Sequence, residues 1–302
     1  MAKQTLNFLE YMERSAYLIS DGGIGTYLQN HGLEAGDSPE KLNLTEPTLI
    51  RQMATNFFNA GSDLVLTNSF GGNRFMLKKY RIGSELHEIN REAAGLAHMA
   101  AGKNKWVIGS IGPSGEFLEP LGNVSHNEMY EAFAEQSQAL EEGGADGILL
   151  ETMTSLDEIK IGIEAVKNST SLPILATMTF DKGPRGYFSM MGVTPRQAAI
   201  ELSDTNIDVL GANCGNGIDQ MTEIFEFMIQ PASKPVLIHS NAGIPKIVEK
   251  KVVYNEDPDY MAEYFISLIE RGAKIVGGCC GVTPKHIESL TDLLHKKGIY
   301  PR

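Results

Sequence analysis

The chain is poor in cysteine, with three in 302 residues, and holds a single tryptophan. An odd thiol count this low excludes a disulfide scaffold, and it fits a reducing compartment in which thiols stay available as ligands or nucleophiles. Basic residues are also short: the net charge is −12 and no basic stripe reverses it locally. Such a chain repels nucleic-acid phosphates and anionic membrane surfaces. No window approaches the roughly 18 consecutive apolar residues that span a bilayer. The opening "MAKQTLNFLEYMERSAYLIS" carries Glu10, Glu13 and Arg14 where a signal peptide needs an unbroken apolar stretch. Dinucleotide-binding, P-loop, zincin and serine-hydrolase motifs are all missing. No Pro/Ser/Gly-rich linker divides the chain and no tract is of low complexity. The expectation is a cytoplasmic protein forming one domain over residues 1–302, without nucleic-acid or membrane partners.

What is present is a repeat. Eight nearly continuous apolar runs recur: residues 16–23, 61–69, 105–113, 144–152, 172–180, 207–215, 234–243 and 272–281. Runs of that kind are parallel strands buried on both faces. Amphipathic helical patterns lie between them. One, over 45–61, opens with Thr45 as its cap and Pro47 in its first turn, and stops at Gly61. Another, over 125–144, opens on Ser125-x-x-Glu128, a capping box; a third covers 257–273. Strand and helix alternating eight times predict an α/β fold, a single (β/α)8 TIM barrel. A doubly wound open sheet is the rival. A short N-terminal helix, residues 5–15, is expected to close the bottom of the barrel.

Chemistry in such barrels sits at the C-terminal ends of the strands. Those ends carry Asp21, Thr67-Asn68, Gly112-Pro113, Glu151, Met178-Thr179, Asn213-Cys214, Asn241 and Cys279-Cys280. All three cysteines therefore fall at strand tips, on strands six and eight, with one strand between them. Adjacent cysteines rarely bond to each other, because the linkage is strained. Reactive thiols, a metal site and plain packing remain, and the convergence of three thiols favours a metal. Three thiolates with an open fourth position describe catalytic rather than structural zinc. Without a C-x-x-C pair, redox chemistry is the weaker alternative. The glycines of "GGCCG" could instead cradle a phosphate.

Glu151 ends an all-apolar strand, where an unpaired charge is costly. It should meet a cation, either an arginine or a substrate ammonium. Asp21, in "DGGIGT", is a similar candidate, against the alternative of a turn cap. His239 is either a hydrogen-bonded core residue or a fourth ligand. Trp106 begins strand three, at the end of the barrel away from the chemistry.

The stretches "DGGIGTYLQ", "PEKLNLTEP", "LTNSFGGNRFMLKKY", "LLET", "GANCG", "SNAGIP" and "GGCCGVTP" resemble, in order and spacing, the homocysteine S-methyltransferase family, from about residue 17 to residue 295. The resemblance implies that Cys214, Cys279 and Cys280 bind one Zn²⁺. It also implies that Asp21, Gly22 and Glu151 hold the amino-acid end of homocysteine. Asn241 would contact substrate or occupy the fourth zinc position when substrate is absent. The chemistry implied is methyl transfer to a zinc-activated homocysteine thiolate, giving methionine. "PEKLNLTEP" and "TNSFGGNRFMLKKY" look most like the homocysteine-binding module of cobalamin-dependent methionine synthase. The betaine-using branch has Tyr where this chain has Gly71. With no folate or cobalamin domain in the 302 residues, the methyl group is expected from a corrinoid partner carrying methylcobalamin, or from the rest of a larger enzyme. A small-molecule donor, betaine or S-methylmethionine, is the alternative. A non-enzymatic zinc or thiol sensor would explain the cysteines but not Asp21 and Glu151.

Overall fold

The computed structural model describes residues 6–34, 36–248 and 251–301. Eight strands make one sheet: β1 (Leu18–Ile19), β2 (Leu64–Leu66), β3 (Trp106–Ile111), β4 (Gly147–Met153), β5 (Ile174–Met178), β6 (Val209–Asn213), β7 (Val236–Ser240) and β8 (Ile275–Gly278). All pairs are parallel, in the order β1-β8-β7-β6-β5-β4-β3-β2. The two ends of that order are joined by one backbone hydrogen bond and two that use side-chain carboxylates. The Asp63 N–H donates to Ile19 O at 2.7 Å, and the Ile19 N–H donates to Asp63 Oδ2 at 2.9 Å. Higher up, the Leu66 N–H donates to Asp21 Oδ2 at 2.8 Å. The sheet closes into the expected (β/α)8 barrel, and a carboxylate from a strand tip forms part of the seam.

Both faces of each strand are buried, which is why the runs read as continuous. Leu18, Leu64, Trp106, Leu149, Leu175, Val209, Leu237 and Ile275 point inward and form one cluster with Phe8, Tyr11 and Met12. Their neighbours Val65, Val107, Ile148, Ala176, Leu210, Ile238 and Val276 face outward against the helices. The helix Phe8–Arg14, capped by Asn7 and Glu10, closes the floor as expected; residue 5 of the expected segment lies outside the described residues. Trp106 packs there, edge-to-face with the Phe8 ring at 5.8 Å and tilted against that of Tyr11 at 5.5 Å. The tryptophan belongs to the floor, away from the strand tips.

A repeated device sets the register. Each of β2, β4 and β6 is preceded by an aspartate, Asp63, Asp146 and Asp208. Its backbone N–H donates to the preceding strand while its carboxylate accepts from the same strand, at Ile19, Val107 and Ile174. The helix Pro47–Ala60 ends at Gly61 in the left-handed region, as its sequence predicts, but Thr45 is not its cap. Thr45 closes a preceding helical turn, Leu42–Thr45, and its hydroxyl donates back to Lys41 O. The capping box at Ser125 and Glu128 is formed. Two antiparallel hairpins were not expected. They are Asp181–Gly183 with Gly186–Phe188 after β5, and Lys246–Val248 with Lys251–Val253 after β7.

Candidate metal centre and substrate pocket

The three sulfurs meet at the barrel mouth, all within 4.8 Å of one another. Strand β7, lying between the two cysteine-bearing tips, holds both. The Cys214 N–H donates to His239 O at 3.0 Å, and the Cys279 N–H to Ser240 O at 2.7 Å. The Ala242 N–H donates to Cys280 O at 2.9 Å. Cys214 itself has φ 61°, a left-handed conformation unusual for a residue with a side chain. Strain of that kind is retained where surrounding contacts enforce it, commonly at functional sites. The glycines explain how the loops nest. A Cβ on Gly23 would fall 2.7 Å from Cys279 O, and one on Gly281, at φ 83°, would fall 2.3 Å from Cγ of Tyr254.

The sulfurs share charge as a unit. Hydrogen bonds from Cys214, then Cys279, hold Cys280 well below the usual thiol range, and the Tyr254 hydroxyl acts in the same direction. Cys279 is pushed up, first by its bond to Cys214. For Cys214 the bond with Cys279 pulls downward, but the bond to Cys280, burial and the Cys280 charge together raise it to about 11. Sulfurs this close oppose one another's ionisation, as the charges of Cys214 and Cys280 raising Cys279 show; a divalent ion that binds thiolates would relieve that repulsion.

Beside the sulfurs lies a cavity of about 230 Å³, lined by Gly22, Glu40, Asn68, Glu151, Cys214 and Cys280 among others, and among the described residues by no lysine or arginine. Glu151 Oε1 accepts from Ser110 Oγ, and its Oε2 accepts from Asn213 Nδ2 at 3.1 Å. Asn213 is pinned in turn by Thr152 and Thr177. Burial pushes the Glu151 carboxyl up to about 7, against the Ser110 bond; the charges of Asp21 and Cys214 add to the rise. Burial likewise lifts Asp21 to about 7, opposed by its bonds from Leu66 and Ser20. Glu151 therefore feels the charge of Asp21, and among the described residues no lysine or arginine lines the pocket to balance them.

The family model described as homocysteine S-methyltransferase matches residues 18–294. The chain belongs to the homocysteine S-methyltransferase family. Methionine synthases of Mycobacterium tuberculosis and Mycobacterium leprae are each 30% identical to it over 291 residues. Those matches cover 90% of this chain but 24% of each relative, so it spans about a quarter of their length. The crystal structure of the homocysteine methyltransferase MmuM from Escherichia coli, in its metallated form, shares the fold. Its TM-score is 0.77 at 21% identity, covering 94% of this chain and 98% of that one. No helix among the described residues is long and apolar enough to cross a membrane.

For a member of this enzyme family the donor set fits zinc. Tetrahedral Zn–S bonds of about 2.3 Å need sulfurs roughly 3.8 Å apart, within the spread found here. Of the residues expected from the sequence, Gly22, Glu151 and all three cysteines line or edge the pocket. Asp21 sits behind Gly22, tied into the β1–β2 seam. Asn241, buried just after β7, donates its N–H to Asn216 O, and among the described residues its Oδ1 has no hydrogen-bond partner. His239 is a core residue whose Nε2 also lacks a partner among the described residues; burial holds its pKa down at about 3.

Sequence reasoning missed three residues. Asn213 was noted as a tip residue, but not as the clamp on Glu151. Glu40 lines the pocket as a third buried carboxylate, accepting from the Gly71 N–H at 2.8 Å and from Ser38 Oγ at 2.7 Å. The "PEKLN" stretch that carries it pointed to the family but not to this role. Tyr254 follows the unexpected hairpin, and nothing in its local sequence marks it.

Proposed function

We propose that this chain holds one Zn²⁺ through Cys214, Cys279 and Cys280 and transfers a methyl group to homocysteine, giving methionine. The observation that carries this reading is the meeting of three thiols with the Glu40 and Glu151 carboxylates around one small cavity, with Asp21 buried behind Gly22. Zinc bound there would supply the Lewis acidity that strips the proton from an incoming thiol and keeps it anionic near neutral pH. Glu151 and Asp21 bind the substrate ammonium, which provides the positive charge the pocket lacks. Once that ammonium is seated, both carboxylates are favoured as anions. The Gly22 backbone, locked where a Cβ would fall 2.5 Å from Val282 O, borders the amino-acid end. Asn241, whose Oδ1 has no partner among the described residues, would be the residue to hold the metal's fourth position when substrate is absent. Fixing the thiol against a methyl donor supplies much of the acceleration, since methyl transfer needs in-line approach.

The donor we assign is a methylated corrinoid carried by a partner protein or by the rest of a larger chain. Support comes from the match to about a quarter of the methionine synthases. It comes also from the rim, where Phe70, Phe117, Leu121, Met190 and Met191 are exposed large apolar side chains on the loops after β2, β3 and β5. An apolar rim of that kind suits docking of another protein surface. A carboxylate-lined pocket also suits a cationic small donor. Incubation of the zinc-loaded protein with homocysteine and, in parallel, methylcobalamin, betaine or S-methylmethionine separates these readings. Methionine from methylcobalamin supports the assignment. Turnover with betaine or S-methylmethionine alone overturns the donor, and no turnover with any of them returns the site to metal storage or sensing.

A further inference from the structure

We infer that Asn213 and Thr152 form a clamp that fixes the spacing between the ammonium end and the thiol end of the pocket, and so selects homocysteine over cysteine. The inference rests on the reading of the site above and adds two positioning residues to it, neither of them a metal ligand.

The clamp begins with an irregularity in β4. Leu150 pairs with Ala176 and Met153 with Met178, so Glu151 and Thr152 together oppose the single Thr177 of β5. A bulge of this kind re-aims side chains, which lets two successive residues, Glu151 and Thr152, both line the cavity. Its cost is visible at Thr152, whose φ of 60° is left-handed, an outlier for a β-branched residue. Asn213 enforces that conformation. Its Oδ1 accepts from the Thr152 N–H at 2.7 Å and from the Thr177 hydroxyl at 2.8 Å. Its Nδ2 donates to Thr152 Oγ1 at 2.8 Å and to Glu151 Oε2 at 3.1 Å. The side chain is fully buried, and all four of its hydrogen-bonding positions are taken. The next residue is Cys214, itself at φ 61° and held by His239 O. The Thr179 hydroxyl donates to Asn213 O at 2.7 Å, which pins the backbone between them. One short, rigid connection therefore runs from the carboxylate that meets the ammonium to a sulfur that holds the metal. Left-handed residues persist at its two ends because the surrounding bonds over-determine them. Cysteine is one methylene shorter than homocysteine and cannot reach both ends of a rigid pocket at once. A single methylene is worth about ten- to two-hundredfold in such discrimination.

The zinc-loaded protein is titrated calorimetrically with L-homocysteine and with L-cysteine, with zinc content and thermal melting recorded alongside. Wild type should bind homocysteine about ten- to two-hundredfold more tightly than cysteine. Thr152→Val keeps the branched shape and removes the Asn213 bond to Oγ1. Its affinity ratio should fall by roughly fivefold or more, the equivalent of one buried hydrogen bond, with zinc retained. Thr152→Ser keeps the hydroxyl and should restore the ratio. An unchanged ratio in folded, zinc-loaded Thr152→Val, including equal weakening of both ligands, would overturn the inference, since a merely structural role moves no ratio. A wild-type ratio near one overturns it without any variant and leaves the homocysteine reading intact. Should Thr152→Val not fold, Thr177→Val, which removes a different bond to Asn213, is read in the same way. Binding of neither thiol by zinc-loaded wild type would overturn the homocysteine reading itself, and this inference with it.

Discussion

Replacing Glu151 by Gln should make the substrate-free protein more stable in mild alkali while weakening its hold on homocysteine. The carboxyl is buried, and its pKa rises from 4.5 to about 7 on folding. A raised carboxyl favours the folded state fully below its unfolded pKa. That contribution is lost as pH climbs from about 4.5 through about 7. At ~1.36 kcal/mol per pKa unit, ionised Glu151 costs about 3 kcal/mol above that window. Glutamine cannot ionise and keeps an acceptor for Ser110. Its amide meets the Asn213 Nδ2 donor, at a cost of roughly 1 kcal/mol, although Asn213 retains Thr152 Oγ1 at 2.8 Å. The stability curves should therefore cross. Glu151→Gln is expected to be less stable by about 1 kcal/mol near the acid end and more stable by about 2 kcal/mol above neutrality. Losing a buried charge-assisted bond to the ammonium should weaken homocysteine binding by roughly ten- to a hundredfold. Urea unfolding of chelator-treated protein across pH, with calorimetric titration of homocysteine, measures both. A stability difference independent of pH, or unchanged homocysteine affinity, would refute the argument.

Three further outcomes follow from the same packing and charge. His239 has its pKa depressed to about 3 by burial, so its contribution to stability is present above about pH 6.5 and lost as pH falls. His239→Gln should lose less stability on acidification, by about 1.4 kcal/mol per pH unit, in urea unfolding. Trp106→Ala, on the floor, should cost about 3–5 kcal/mol in unfolding free energy through the cavity it leaves. The folded fraction should bind homocysteine normally, because the tryptophan does not touch the pocket. Leu121→Asp combined with Met190→Asp should raise KM for a methyl-corrinoid protein by roughly tenfold or more. Free methylcobalamin should be used at the wild-type rate in steady-state methionine assays.

The barrel was legible because β1–β8 are buried on both sides, which leaves uninterrupted apolar runs that no helix period explains. The convergence of the thiols followed from topology alone. With Cys214 after β6 and Cys279-Cys280 after β8, only β7 can intervene. The hairpins after β5 and β7 were invisible, since they are short, largely exposed where described, and carry no alternating pattern. Tyr254 was lost with the second hairpin, because its packing depends on a loop folding back over Gly281 rather than on its own neighbours. Thr45 has the composition of a cap, yet Leu42–Thr45 already forms a turn. The backbone at Glu46, before Pro47, takes the cap position without a side-chain bond, and proline disfavours helical geometry in the residue before it. Asn213 and Glu40 bind partners distant in sequence, and single-sequence patterns carry no signal for that.

Metal analysis of protein purified without added zinc, combined with X-ray absorption at the zinc edge, reaches the central claim most directly. The account predicts close to one zinc per chain with three sulfur neighbours at about 2.3 Å, a fourth sulfur appearing when homocysteine is added, and loss of the metal in Cys214→Ser. A protein that neither carries nor takes up zinc, or one whose zinc is surrounded by nitrogen and oxygen alone, would contradict it.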